Sequence, residues 1–315
     1  MCEANTATAV GESPPKHRDA LTPPSAGDAE AYCRTLARRH YENFPVVTWL
    51  LPRRLHQDFF NVYAFCRWAD DLADETFDRQ LSLRLLDWFE GELRACFEGR
   101  DIAHPVFVAL RQTLARHPLT VQPFADLLSA FRQDQTVREY ETRSQLLDYC
   151  RRSANPVGRI VLALCGEDTC ENVADSDAVC TGLQLANFWQ DVARDWRRGR
   201  IYLPREDRRR HPGSDEAFRS TRTNEAFAAL LAEEVAWTRG FLERVFPLAA
   251  RLPRRLRIDI ELFGRGGLAI LQKIESIGYR VWEHRPTLGK RDVAGLLLRT
   301  LWRWGRPRPG RPAKL

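Results

Sequence analysis

The sequence lacks the paired and repeated features that mark several large protein classes. None of its eight cysteines, at positions 2, 33, 66, 96, 150, 165, 170 and 180, forms a Cys-x-x-Cys, and no histidine pair completes a zinc pattern. A structural zinc site is therefore not expected. Cys66, Cys150 and Cys165 fall within apolar stretches, where a small buried thiol is the expected role. No signal peptide is visible, so the expected compartment is a reducing cytoplasm, with peripheral contact to the inner membrane surface left open. Apolar runs are short as well. The stretch "VAGLLLRTLW" falls well below the roughly 20 residues that span a bilayer. Zinc-finger spacing and RNP-type stretches are also missing, so no nucleic-acid partner is expected. Alternation with period two is scarce, which argues against a β fold.

The chain is rich in helical periodicity and in charge of both signs. Its 315 residues are 44% hydrophobic, enough for one large domain or two ordinary ones. Basic residues outnumber acidic ones by 48 to 42, and the pI near 9.0 suits anionic ligands or an anionic surface. Residues 1–27 carry Pro, Ala, Thr and Ser without an apolar period and read as a disordered arm. Residues 28–304 read as one all-α domain of about ten or more helices. Residues 305–315 form a basic Pro-rich tail, serving solubility or touching anionic lipid headgroups. "DAEAYCRTLARRHYENF" opens at an Asp28 cap and "NEAFAALLAEEVAWTRGFLERVF" at an Asn224 cap. "GRIYLPREDRRRHPGSDEAFRSTRTN", with Pro204, Pro212 and Gly213, interrupts the pattern and reads as a mobile flap or loop.

Two stripes of carboxylates carry chemistry. In "RWADDLADE" and the residues before it, Tyr63, Arg67, Asp70 and Asp74 fall within about 60° on a helix. Phe59 and Cys66 lie beside that stripe, so the acids continue an apolar face, and burying them there requires a cation. A lone Asp-x-x-x-Asp is weak, because such pairs are common on exposed helices. However, "LQLANFWQDVARDW" repeats it: Gln184, Asn187, Asp191 and Asp195 span about 80°. Two such helices face to face would line a cavity with oxygen ligands suited to Mg²⁺, which normally shares its shell with substrate phosphates. Arg67 is placed to bind phosphate oxygens. Arg200 and Tyr202 follow the second stripe closely, as ordinary residues after a helix end or as a phosphate clamp. The aromatics Tyr41, Phe44, Tyr63, Phe65, Tyr149, Phe188 and Trp189 are core by default, with a subset available to face a carbocation. "YCRRSANPVG" is a helix–helix turn or a cavity wall.

Together, "YAFCRWADDLADE", "LQLANFWQDVARD" and "GRIYLP" resemble the squalene/phytoene synthase family. The resemblance covers about residues 30 to 300, and the combination is more specific than any one piece. It implies the all-α isoprenoid-synthase fold, a single helical domain around a central cavity, and Mg²⁺ as cofactor. It implies Asp70, Asp74, Asn187, Asp191 and Asp195 as metal ligands. Arg67, Gln184, Arg200 and Tyr202 fall on family positions for diphosphate or substrate contact, and Tyr63 and Tyr149 join them as expected substrate residues. "HYENFPVVTWLLPRR", "YCRRSANPVG" and "RPTLGK" look most like the hopanoid-pathway HpnC branch. That branch implies ionisation of presqualene diphosphate and capture of the cation by water to give hydroxysqualene. Asn155 stands where the general family has glycine, and the expectation is that it or a neighbour helps hold the water. Farnesyl diphosphate is the alternative substrate, condensed head to head, and coupling to other squalene or hopanoid enzymes follows from either reading. A non-catalytic assembly factor on the same fold is the remaining alternative.

Overall fold

Apolar side chains recurring every three to four positions generate the helices, and capping groups set their ends. The computed structural model describes residues 23–39, 52–76 and 78–305. In chain order the helices are α1 (Ala26–Arg39), α2 (His56–Asp74), α3 (Arg79–Phe97), α4 (Pro105–Arg116), α5 (Gln122–Asp134), α6 (Arg143–Ser153) and α7 (Asn155–Cys165). They continue with α8 (Cys170–Gln190), α9 (Val192–Arg197), α10 (Arg205–Arg210), α11 (Glu216–Ser220), α12 (Glu225–Glu243), α13 (Val245–Arg251), α14 (Arg254–Ser276) and α15 (Lys290–Gly305). Among the described residues there is no named strand, only an isolated parallel bridge between Glu139 and Ile201. No helix among them is long and apolar enough to cross a membrane.

Capping confirms one expectation and corrects another. The Asn224 side chain accepts the Phe227 N–H at 2.8 Å and starts α12 as expected. α1 is capped by Ser25, whose hydroxyl accepts the Asp28 N–H at 3.2 Å and donates to Asp28 Oδ2 at 2.7 Å. Asp28 therefore lies inside the first turn, where its charge favours the helix N-terminus. "HYENFPVVTWLLPRR", with Tyr41 and Phe44, falls almost entirely outside the described residues, as do residues 1–22 and 306–315.

Two apolar clusters hold the fold. In the first, Phe65 of α2 stacks on Phe89 of α3 at 5.3 Å and meets Phe124 of α5 edge-on at 5.1 Å. Each fully buried ring contributes about 2–3 kcal/mol relative to exposure. Phe65 is thus core and takes no part in a site. The second cluster gathers Trp189 of α8, Leu230 and Leu231 of α12, and Leu271 and Ile274 of α14. Close helix approach there depends on small residues. A Cβ on Gly182 would lie 2.8 Å from Leu242, and one on Gly264 only 2.5 Å from Val245. Of the thiols, Cys150 is buried and Cys66 and Cys165 partly so, all three free, with burial pushing each up to about 12.

The expected flap is instead anchored structure. After Tyr202 and Leu203, both buried, it folds into α10 and α11. The Ile201 N–H donates to Arg138 O at 2.8 Å and the Arg205 N–H to Tyr140 O at 2.9 Å. Buried Arg208 pairs with Glu139 and Asp215 at 3.0 and 2.7 Å. Arginine-rich composition resembled a loop because the matching carboxylates lie far away in sequence.

Candidate active site

The two carboxylate stripes come from the two apolar clusters and meet at their helix ends. Asp70 and Asp74 ride on the last turns of α2. The end of that helix is fixed by donors to its free carbonyls. Ser82 Oγ and Thr76 Oγ1 donate to Leu72 O at 2.9 and 2.8 Å, and Gln135 Nε2 donates to Ala73 O at 2.9 Å. On the other side, the Trp189 indole N–H donates to Thr238 Oγ1 at 2.7 Å and Gln190 Nε2 to Pro286 O at 2.5 Å. These bonds fix the end of α8 just before Asp191.

The second stripe is not one continuous helix. α8 stops at Gln190, Asp191 takes φ −104° and ψ 13°, and α9 resumes at Val192. The Asp195 N–H still donates to Asp191 O at 2.9 Å, so the bend redirects the stripe without dissolving it. Gly199, in the left-handed region at φ +71°, then ends α9. The Arg200 N–H returns to Asp195 O at 2.9 Å, and the Arg200 side chain is turned toward the first stripe.

Arginines bridge the stripes. Arg200 Nη2 lies 3.7 Å from Asp74 Oδ1 and donates to Asp134 O at 3.5 Å. Exposed Arg198 opposes, as a smaller influence than burial and the neighbouring aspartates, the upward shifts of both Asp70 and Asp195. Arg67 reaches Asp70 and Glu75 at 3.3 Å each and also pairs with Asp71. Asp71 and Glu75 therefore hold Arg67. Arg285 grips both oxygens of Asp191, with Nη2 to Oδ2 at 3.1 Å.

Charge crowding is visible in the titration of the acids. Burial, followed by the neighbouring Asp191 charge, pushes Asp195 up to about 7, with Arg200 and Arg198 opposing. Burial and then Asp74 raise Asp70. Burial raises Asp71 to about 6 against the pull of Arg67. Asn187 is exposed and Gln184 half-buried, and neither side chain bonds another group among the described residues.

An aromatic wall adjoins the second stripe. Tyr202 stacks on Phe188 at 3.7 Å with the rings 6° apart, and Tyr140 and Tyr149 complete the group. The Tyr149 hydroxyl donates to Asp134 Oδ2 at 3.0 Å. A narrow crevice lined by Phe188, Val192, Asp195, Arg200, Tyr202 and Phe218 opens there. Tyr63 is half-buried beside Arg67 and Asp71, and its hydroxyl is raised chiefly by burial. Asn155 is buried at the start of α7, where its Oδ1 accepts from Thr181 Oγ1 at 2.9 Å.

Sequence reasoning missed Asp134, Arg198 and Arg285. Asp134 ends α5 and is pushed up to about 6 by burial, with Arg200 and Tyr149 opposing. A carboxylate at a helix C-terminus is electrostatically misplaced, and that was the available signal. Among the described residues no three acids, histidines or cysteines converge closely enough to hold one ion. The two Asp pairs are linked instead by Arg200, which follows Asp195 and reaches Asp74 at 3.7 Å.

The chain belongs to the squalene/phytoene synthase family, whose model matches residues 37–292. It is 43% identical over 167 residues to a hydroxysqualene synthase of Rhodopseudomonas palustris, covering 52% of this chain and 56% of that protein. The match therefore spans little more than half the length of that relative. A 15-cis-phytoene synthase of Synechocystis is 30% identical over 276 residues, covering 83% of this chain and 82% of that protein. The crystal structure of squalene synthase HpnC from Alicyclobacillus acidocaldarius superposes with a TM-score of 0.77 at 41% identity, covering 82% of this chain and 98% of that one. Identity is thus higher toward the hydroxysqualene synthase and HpnC than toward the phytoene synthase. The all-α architecture is that of the isoprenoid synthases.

Proposed function

We propose that the chain is a hydroxysqualene synthase, converting presqualene diphosphate and water to hydroxysqualene and diphosphate. The observation that supports this reading is the approach of Arg200, beside the Asp191/Asp195 stripe, to Asp74 of the other stripe at 3.7 Å, next to the Phe188–Tyr202 stack. The donor set fits Mg²⁺: it is all oxygen, the Asp74 charge raises Asp70 and the Asp191 charge raises Asp195, and the Gln184 and Asn187 amides are uncommitted among the described residues. Asp70 and Asp74 on one side, and Asn187, Asp191 and Asp195 on the other, would hold the metals. When bound, Mg²⁺ supplies positive charge against the leaving diphosphate.

The remaining steps rest on the chain's own side chains. Arg67 and Arg200 are oriented by carboxylates and present guanidinium N–H groups to a diphosphate. The allylic or cyclopropylcarbinyl C–O bond breaks heterolytically, and diphosphate leaves with the electron pair. Tyr149, Phe188 and Tyr202, packed on one another, give the cation that remains an aromatic border whose π electrons favour positive charge. Water then adds to the cation and loses a proton. Asn155 supports this step: its Oδ1 is taken by Thr181, while its Nδ2 carries no partner among the described residues. Presqualene diphosphate must come from an enzyme that joins two prenyl diphosphates head to head.

Head-to-head condensation by this chain itself is the second reading, favoured by the 30% identity to a phytoene synthase over 82% of that protein. Incubation with Mg²⁺ and either presqualene or farnesyl diphosphate, followed by mass spectrometry, tests both. Hydroxysqualene from the first substrate supports the proposal. Turnover of farnesyl diphosphate alone supports the second reading. An assembly factor would turn over neither, yet this chain retains both Asp pairs and Asn187.

A further inference from the structure

α15 leaves a broad apolar face uncovered. Val293, Leu297, Leu298, Leu301 and Trp302 are all exposed, Leu298 by 68% and Trp302 by 63%. At 100° per residue they occupy one arc of about 180°. The side opposite that arc, with Asp292 and Arg303, and its edge beside Val293, with Thr300 and Trp304, are fixed to the protein. Thr300 is fully buried, Trp304 Nε1 donates to Glu261 Oε2 at 2.5 Å, and Lys273 Nζ donates to Asp292 Oδ2 at 2.7 Å. Arg303 lies over the Phe246 ring at 5.0 Å. The helix is therefore held against α14 with its apolar face outward. Isolated exposed leucines need no explanation, but five large apolar side chains on one face do.

Charge around this face has one sign. Lys290, Arg291, Arg299 and Arg303 are exposed, and Asp292, the sole acid from residue 290 onward, is already paired with Lys273. The following sequence adds Arg306, Arg308, Arg311 and Lys314. At 16 residues the helix is shorter than the roughly 20 needed to span a bilayer. An apolar face of Leu and Trp bordered by arginines suits the boundary between headgroups and acyl chains.

We propose that α15 docks the chain on an anionic phospholipid surface. Leu297, Leu298, Leu301 and Trp302 enter the acyl boundary, and Arg291 and Arg299 meet headgroup phosphates. The inference is independent of the catalytic reading, because none of these residues belongs to the carboxylate site.

Vesicle co-sedimentation of the full chain tests it, using phosphatidylcholine alone and phosphatidylcholine mixed with phosphatidylglycerol. Binding to the mixed vesicles should exceed binding to neutral ones by roughly tenfold and weaken with salt. Leu298→Glu with Leu301→Glu should lower partitioning at least about tenfold. Arg291→Glu with Arg299→Glu should remove the preference for the anionic lipid. Circular dichroism checks the fold of each variant, and Leu298→Ser, at the most exposed position, serves if the double variant misfolds. Wild-type chain that ignores anionic vesicles overturns the proposal, as do variants that bind like wild type. Vesicle-free self-association abolished by the same leucine variants would assign the face to a second copy and also overturn it.

Discussion

Asp259→Asn should stabilise the protein, and by an amount that depends on pH. Asp259 lies on α14 at 1% exposure, and neither carboxylate oxygen has a hydrogen-bond partner. Burial alone raises it from 3.8 to about 8. Between those values the folded chain holds the proton more tightly than the unfolded chain. The Asp259 contribution to stability is therefore greatest below pH 3.8, falls as pH rises, and levels off above about 8. The shift corresponds to roughly 6 kcal/mol against the charged form, of which relaxation and water penetration return a part. A buried carboxamide leaves its own N–H groups unpaired, at about 1–2 kcal/mol. The variant should therefore gain about 1–3 kcal/mol above pH 8 and close to nothing near about pH 5. Urea unfolding at both pH values, followed by circular dichroism, measures this as a moved midpoint at constant slope. A variant no more stable than wild type at the higher pH would refute the reasoning, and so would a gain identical at both.

Four other substitutions follow from the same geometry. Gly264→Ala places a methyl 2.5 Å from Val245 and should lose about 2–3 kcal/mol, whereas Gly240→Ala, with nothing within 4 Å, should gain up to about 1 kcal/mol; thermal unfolding compares them. Asp191→Ala should lower turnover about 100-fold or more with an unchanged helical circular dichroism spectrum, and wild-type turnover would remove Asp191 from the site. Asn155→Gly should shift product away from hydroxysqualene, read by mass spectrometry; an unchanged rate and product fraction would release Asn155 from water capture.

What was legible in the sequence was local, and what was hidden depends on distant residues. Asp70/Asp74 and Asp191/Asp195 were readable because a fixed helical spacing puts both acids of each pair on one face beside apolar residues. The kink at Asp191 was not readable, since Gln184 to Asp195 keeps helical spacing through the bend. Arg285 lies 94 positions from the carboxylate it grips, and no spacing rule connects such a pair. The segment after Gly199 looked loose because its arginines, prolines and glycines are loop-like locally. Its order comes from Arg138, Glu139 and Tyr140, more than sixty positions earlier. Asp71 lies off the stripe by helix geometry, yet a long arginine reaches around to it, so it supports Arg67 from outside the stripe.

The most direct test of water capture uses oxygen-18. Presqualene diphosphate, Mg²⁺ and purified chain are incubated in ¹⁸O-labelled water, and the extracted alcohol is weighed by mass spectrometry. Cleavage of the C–O bond followed by addition of water predicts hydroxysqualene carrying one labelled oxygen. An unlabelled alcohol, or squalene with no alcohol, would contradict it.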